Sequence, residues 1–260
     1  MNVDILMVTF CRDLEFAEYS MRSVRKFTSG FRDNICVVPT QDGEMYREMA
    51  EPLGFTVKTF DEWPGKGFLH HEAIICEGDV WCPGADAILH IDGDCLFTGN
   101  VNAMDYFHNG RPILYRERFE DFKKHPNRYG WKACIKSATG IDAEWETMVR
   151  HPSVHIPKTY QATREMIAAH TGKDCKEFIR SCRNTYPQTF AEFPTLGAVA
   201  IEKCPDDYCF VDVGQGIPIP KWDKTNDKMK AFWSVGGIEM VNDRHPDETA
   251  RQVMERILAD

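Results

Sequence analysis

Several common features are missing from this chain, and each absence removes a class of function. No stretch approaches the roughly 20 consecutive apolar residues that span a bilayer, so no membrane span is expected. The chain starts Met1-Asn2-Val3-Asp4 and enters an apolar strand at once, without the basic start and long apolar region of a secretory signal. The expected location is therefore the cytoplasm, or the host cytoplasm if the protein is viral. Basic residues are outnumbered, 31 Lys and Arg against 40 Asp and Glu, for a formal net charge of -9. Affinity built on counterion release from nucleic acid is thus not the default expectation. Cys-x-x-Cys pairs do not occur among the ten cysteines, which argues against a structural zinc site. Pro64-Gly65-Lys66-Gly67 lacks both the upstream glycine and the following Ser or Thr of a P-loop, so nucleotide hydrolysis is not supported. There is no internal repeat, low-complexity tract or linker-like stretch.

What remains is a chain of 260 residues, 43% hydrophobic, long enough for one substantial core. Cys11, Cys36, Cys76, Cys95 and Cys209 sit in or beside apolar segments, where reduced thiols act as small core residues, and a reducing compartment is expected. Asp4 to Phe10 reads as a strand, and Leu14, Ala17, Met21 and Val24 recur at helical spacing. A second strand over Asn34 to Pro39, a short helix over Met45 to Leu53 capped by Gly54, and a strand over Phe55 to Phe60 follow. Leu69 to Cys76 reads as a helix and Ala87 to Ile91 as a buried strand. This alternation predicts an α/β fold with a mainly parallel sheet flanked by helices. Beyond it lie an expected strand over Pro112 to Tyr115, then a charged and aromatic stretch, Glu117 to Trp131, expected as substrate-facing loops or lids or, equally, as a solvated excursion. Helices are expected over Tyr160 to His170, Lys176 to Arg183 and Glu192 to Glu202, and a strand over Tyr208 to Val213. A turn at Gly236-Gly237 precedes a terminal helix, Asp247 to Leu258, with Ala250, Val253, Met254 and Ile257 on one face.

The segment that carries chemistry is Ala87 to Phe97, in which an apolar strand delivers Asp92 and Asp94 on either side of Gly93. Carboxyl ends of strands in open α/β sheets line the ligand crevice. Two carboxylates there suit a hard divalent ion, Mn2+ or Mg2+, that also binds phosphate oxygens. The plainer alternative is an acidic turn after a strand. A calcium loop fits poorly, because acidic ligands at the required spacing do not follow Asp94.

Asp4-Ile5-Leu6-Met7-Val8-Thr9-Phe10 with Asp13, the helix bearing Ser23, and His90-Ile91-Asp92-Gly93-Asp94-Cys95-Leu96-Phe97 resemble the GT-A glycosyltransferases, particularly bacterial and phage members. Phe190-Ala191-Glu192-Phe193-Pro194-Thr195-Leu196-Gly197 and Phe232-Trp233-Ser234-Val235-Gly236-Gly237 add to the resemblance. It implies a single GT-A, Rossmann-like domain over 1–260 with a mixed, mainly parallel central sheet. About 1–100 would bind the nucleotide sugar and about 101–260 the acceptor. The implied activity is metal-dependent transfer of a sugar from a nucleoside diphosphate sugar to an acceptor hydroxyl. That acceptor is a saccharide or, secondarily, a 5-hydroxymethylated base in phage DNA.

By the same resemblance, Thr9 and Phe10 contact the nucleoside, Asp13 the base or ribose, Asp92 the ribose or metal, and Asp94 the metal directly. A third metal ligand is often a histidine near the C-terminus, and His245 is the single histidine after His170. The family pattern favours a histidine where this chain has Val235, which leaves that ligand open. Each of these residues has a plainer reading: strand-end packing for Thr9 and Phe10, and entry into the terminal helix for His245-Pro246. Glu192, in an aromatic setting, is a candidate base towards the acceptor or an acceptor-pocket residue; alternatively it complements a helix dipole. Lys66 is a candidate phosphate contact or a solvated loop lysine, and His70 and His71 are candidates to face the donor. Trp131, Trp145, Trp222 and Trp233 are candidate sugar or base platforms. Lys123, Lys124, Arg128, Lys132 and Lys136 form the one basic cluster suited to a nucleic-acid backbone. Two rivals are a nucleotidyltransferase, which would usually show a glycine-rich loop absent from Thr9 to Leu14, and a non-catalytic sugar-nucleotide-binding protein.

Overall fold

The structure is a computed structural model that describes residues 1–122, 126–149, 152–183, 189–213, 229–231 and 249–259. The first half alternates as expected: β1 (Val3–Val8), α1 (Leu14–Phe27), β2 (Asn34–Pro39), α2 (Gly43–Ala50), β3 (Thr56–Phe60), α3 (Gly67–Ile75), the one-turn α4 (Gly78–Trp81) and β4 (Ala87–His90). The second half adds β5 (Cys95–Phe97), β6 (Arg111–Arg118), α5 (Pro126–Thr139), β7 (Ser153–His155), α6 (Pro157–Thr171), α7 (Cys175–Ser181), α8 (Glu192–Lys203), β8 (Cys209–Asp212), β9 (Met229–Ala231) and α9 (Ala250–Ala259).

The central sheet has the order β7-β4-β1-β2-β3. Its β4, β1, β2 and β3 are parallel, and the edge strand β7 is antiparallel to β4. Every residue of β1 is buried, with successive side chains on opposite faces. Val3, Ile5 and Met7 pack with Met21, Val24 and Tyr46 of α1 and α2, whereas Leu6 and Val8 pack with Ile74, Tyr160 and Leu196 of α3, α6 and α8. The helical spacing of Ala17, Met21 and Val24 places all three inside. Gly54, at φ 86°, ends the α2 segment in the left-handed region, which glycine enters without strain. Asp4, fully buried at the amino end of β1, is clamped by Arg32, whose Nε donates to Oδ1 at 2.8 Å.

A second, smaller sheet pairs β6 in parallel with β8 and antiparallel with Trp145–Glu146. The expected loop over Glu117 to Trp131 is corrected by this part of the fold: β6 runs to Arg118 and α5 starts at Pro126. Proline suits the first helical turn, and Trp131, Cys134, Ile135 and Ala138 recur at helical spacing to pack inward, a periodicity masked by the surrounding charge. The terminal helix forms as expected. Val253 and Met254 of α9 pack with Leu96, Phe16 and Tyr19, and Arg251 pairs with Glu15 of α1. Strand β9 pairs with β5, directly after the Asp-Gly-Asp segment. All ten cysteines are free thiols, and only Cys11 is exposed. Among the described residues, no helix is long and apolar enough to cross a membrane.

Helix α8 is seated by a close approach at Gly197, where an added Cβ would lie 1.9 Å from Thr147 Oγ1 and 2.5 Å from Thr147 Cβ. A mid-helix Gly→Ala change normally stabilises by roughly 0.5–1 kcal/mol. Here the overlap reverses the sign: Gly197→Ala is expected to lower stability by about 1–3 kcal/mol in urea denaturation. A gain in stability would contradict this packing.

Candidate active site

The register of β1 and β4 builds the site. Leu6 lies opposite His90, and the Ile91 amide donates to the Leu6 carbonyl at 3.1 Å, so both strands end at one edge of the sheet. The chain then turns through Asp92 and Gly93, closed by the Cys95 amide donating to the Asp92 carbonyl at 3.0 Å. Ser20 Oγ of α1 donates to the same carbonyl at 3.4 Å. A Cβ on Gly93 would lie 3.2 Å from Thr9 Oγ1 and 3.6 Å from Ala17 Cβ. The glycine therefore lets the acidic turn lie against the end of β1 and the flank of α1.

One oxygen each from Asp92 and Asp94 and the sulfur of Cys95 lie within 4.8 Å of one another, with both carboxylates half-buried. Burial, with Asp92 and Asp94 adding to it, pushes the Cys95 thiol well up, and its Sγ donates to Asp94 Oδ1 at 3.7 Å. Two of the three donors are hard carboxylate oxygens, which suit Mg2+ or Mn2+, and the Cys95 sulfur is fully buried beside them.

The end of β1 forms the neighbouring wall. Thr9 is 2% exposed, and its hydroxyl lies 3.2 Å from Tyr46 Oη, which itself donates to the Phe10 carbonyl at 2.7 Å. Tyr46 has one proton to give, so Thr9 is the donor in their shared bond. Burial pushes the Tyr46 phenol far upward, keeping it neutral. The Cys11 amide donates to Asp42 Oδ2 at 3.0 Å. Asp13 is half-buried beside Arg12, at 3.6 Å, and the Arg12 guanidinium lies 5.5 Å from the Phe10 ring centroid.

Helices α3 and α8 supply the third wall. His71 Nε2 donates to the Val8 carbonyl at 3.2 Å, and its ring lies 5.5 Å from that of Phe10. His70 turns the other way: it stacks on Trp63 at 4.1 Å and accepts the Trp63 amide at Nδ1, and burial lowers it to about 4. Glu192 is the first residue of α8 and half-buried. Burial pushes its carboxyl up, as does Asp92, while His71, the Glu192 backbone amide and a hydrogen bond from Glu72 act in the opposite direction. Glu72, 1% exposed, is pushed well above the carboxylate range by burial and then by Glu192.

Thr9, Phe10, Asp92, Asp94 and Glu192 thus gather around one strand edge, with Asp13 beside it. Lys66 is directed elsewhere. Its ammonium donates to the carbonyls of Arg180 at 2.6 Å and Cys182 at 3.3 Å, at the end of α7. His245, Trp222, Trp233 and the Gly236-Gly237 turn lie outside the described residues. Trp131 packs inward with Phe119 and Ile135, whereas Trp145 is half-buried, with Arg116 at 4.1 Å and Arg118 at 4.8 Å from its ring. Tyr46 and Glu72 escaped the sequence reading. For Glu72 a signal existed, a single carboxylate within the apolar helical run Leu69 to Cys76.

No protein-family model and no curated protein matches the chain. Among solved structures, the apo form of mouse xyloside xylosyltransferase 1 is similar at a TM-score of 0.42 and 11% identity, over 82% of this chain and 86% of that one. A likeness this remote leaves the reading of function to the residues themselves.

Replacing Tyr46 by Phe would leave the half-buried Phe10 carbonyl and the buried Thr9 hydroxyl without their shared partner. The expected loss is about 1–3 kcal/mol in chemical denaturation, and unchanged stability would contradict the proposed wall.

Proposed function

We propose that this chain is a metal-dependent GT-A type glycosyltransferase, which moves a sugar from a nucleoside diphosphate sugar to an acceptor hydroxyl. The observation that carries the reading is the convergence of Asp92 and Asp94 at the carboxyl edge of β1 and β4, against Thr9. In this reading Asp94 is the direct ligand of Mn2+ or Mg2+, Asp92 contacts the ion or the ribose, and His245 is the third ligand. When bound, the ion supplies Lewis-acid stabilisation of charge on the departing diphosphate.

The protein's own residues hold the rest. The ring of Phe10 and the backbone around Thr9 form the nucleoside wall, and Asp13 takes the base or ribose. Glu192 accepts the proton of the acceptor hydroxyl as its oxygen bonds to the anomeric carbon, and the bond from that carbon to the diphosphate breaks with its electron pair leaving on the diphosphate. Lys66, with its ammonium on two backbone carbonyls, enters as an anchor of the β3–α3 loop rather than as a phosphate ligand. About 1–100 holds the donor and about 101–260 the acceptor, as halves of one domain. A saccharide hydroxyl is the favoured acceptor: the chain is acidic, and of the basic cluster Lys132 is paired with Asp142 at 3.5 Å while Lys123 and Lys124 lie outside the described residues.

Thermal unfolding with Mn2+ and UDP, GDP, ADP or CMP tests this reading. A ligand at a hundredfold its Kd stabilises by about 2.7 kcal/mol, enough to raise Tm by several degrees. One nucleoside diphosphate is expected to do so only with the metal, and Asp94→Ala to remove the effect. The same ligand is expected to slow alkylation of Cys11, the exposed thiol between Phe10 and Asp13. A shift that survives in Asp94→Ala, or no shift with any nucleotide, would contradict the reading.

A further inference from the structure

Helix α3 packs against α8 and brings Glu72 into contact with Glu192. Glu72 is 1% exposed, and its Oε2 is buried without a hydrogen-bond donor. Two carboxyls in contact away from water cannot both ionise, so one of them keeps a proton. Their surroundings decide which. Glu192 opens α8, where its own backbone amide and His71 favour the anion. For Glu72, burial, Glu192 and the Cys182 thiol all act against the anion.

We propose that Glu72 is a positioning residue: its protonated carboxyl donates a hydrogen bond to the Glu192 carboxylate and fixes how that carboxylate faces the Asp92 side of the site. The role depends on the transferase reading, since it is there that Glu192 acts as a base; the contact itself does not. Burial alone would favour a protonated Glu192, unable to accept a proton, and the Glu72 donor opposes this. The other titratable groups around the pair are His71 and Cys76 of α3, Asp92 after β4, Cys134 of α5 and Cys182 after α7. Burial pushes the thiols of Cys134 and Cys182 upward, and the Cys175 bond does so first for Cys76, so none of these three thiols brings a charge to the pair near neutrality.

The test needs no ligand. An unfolded glutamate ionises near pH 4.3, roughly its free value, whereas native Glu72 keeps its proton well above that. Above about pH 4.3 the unfolded state therefore binds fewer protons than the native state, and stability falls as pH rises until native Glu72 ionises. Glu72→Gln keeps an N–H donor and removes the titration. Relative to wild type, its folding equilibrium constant is expected to gain about tenfold per pH unit over that window. In a Glu192→Gln background the amide can serve an ionised Glu72, and the gain at pH 8 is expected to be at least about tenfold smaller. A gain that does not vary with pH, or one of equal size in both backgrounds, would overturn the proposal.

A second readout addresses position. In 13C titration of the Glu192 carboxyl, assigned with Glu192→Gln, Glu72→Met is expected to raise the proton affinity of Glu192 about tenfold and Glu72→Gln to leave it nearly unchanged. Equal midpoints in wild type and Glu72→Met would contradict the hydrogen bond. If Glu72→Met does not fold, the Glu72→Gln and Glu192→Gln cycle decides the matter alone. Neither measurement contains nucleotide or metal, so failure here falls on the carboxyl pair, whereas failed nucleotide binding falls on the transferase reading.

Discussion

The parallel pairing of β1 with β4 is the constraint on which the rest depends. With Leu6 opposite His90, both strands run out at the same edge, and the chain leaving each is brought against the other at Thr9 and Gly93. The register is held by burial on both faces. Leu6, Val8 and Ile88 belong to one core and Val3, Ile5, Met7, Ala87 and Leu89 to the other. A slip of one residue would exchange the faces of a whole strand, so the two cores specify the register, and the register specifies where the carboxylates emerge. The Arg32 clamp on buried Asp4 secures the opposite end of β1.

An edge that gathers Asp92, Asp94, Glu192 and Glu72 concentrates negative charge in a chain that is already acidic. In the proposed account two different devices relieve it. A proton kept on Glu72 neutralises the deepest carboxyl, and a divalent ion between Asp92 and Asp94 offsets the outer pair. Beneath β4 the buried polar groups are bonded to one another. His90 Nε2 lies 2.6 Å from Tyr160 Oη, Thr159 Oγ1 lies 2.7 Å from Tyr208 Oη, and burial lowers His155 to about 3, so it stays neutral.

Much of this arrangement was legible in the sequence because local signals and tertiary demands agree. The apolar run before Thr9, the spacing of Ala17, Met21 and Val24, the cap at Gly54 and the strand ahead of Asp92 each read correctly. Helix α5 was hidden because charge and aromatics around it outweighed its apolar stripe. Strands β5 and β7 were hidden because three residues carry no periodicity, and their pairing partners are remote in sequence. The anchoring of Lys66 was not legible because its partners, the carbonyls at the end of α7, lie more than a hundred residues away in the chain. Tyr46 reaches the wall of the site through tertiary packing alone, which no spacing rule encodes, and the lone carboxylate of Glu72 in an apolar helical run marked its burial but not its partner.

Anomalous diffraction from crystals grown with manganese and the nucleoside diphosphate that stabilises the protein tests the central claim most directly, because it locates the ion without reference to turnover or acceptor. The account predicts one manganese peak per chain within coordination distance of Asp94, with the nucleotide laid along the end of β1 at Thr9 and Phe10. Manganese and that nucleotide bound together at a different set of residues, with the Asp92-Asp94 turn free of both, would contradict it.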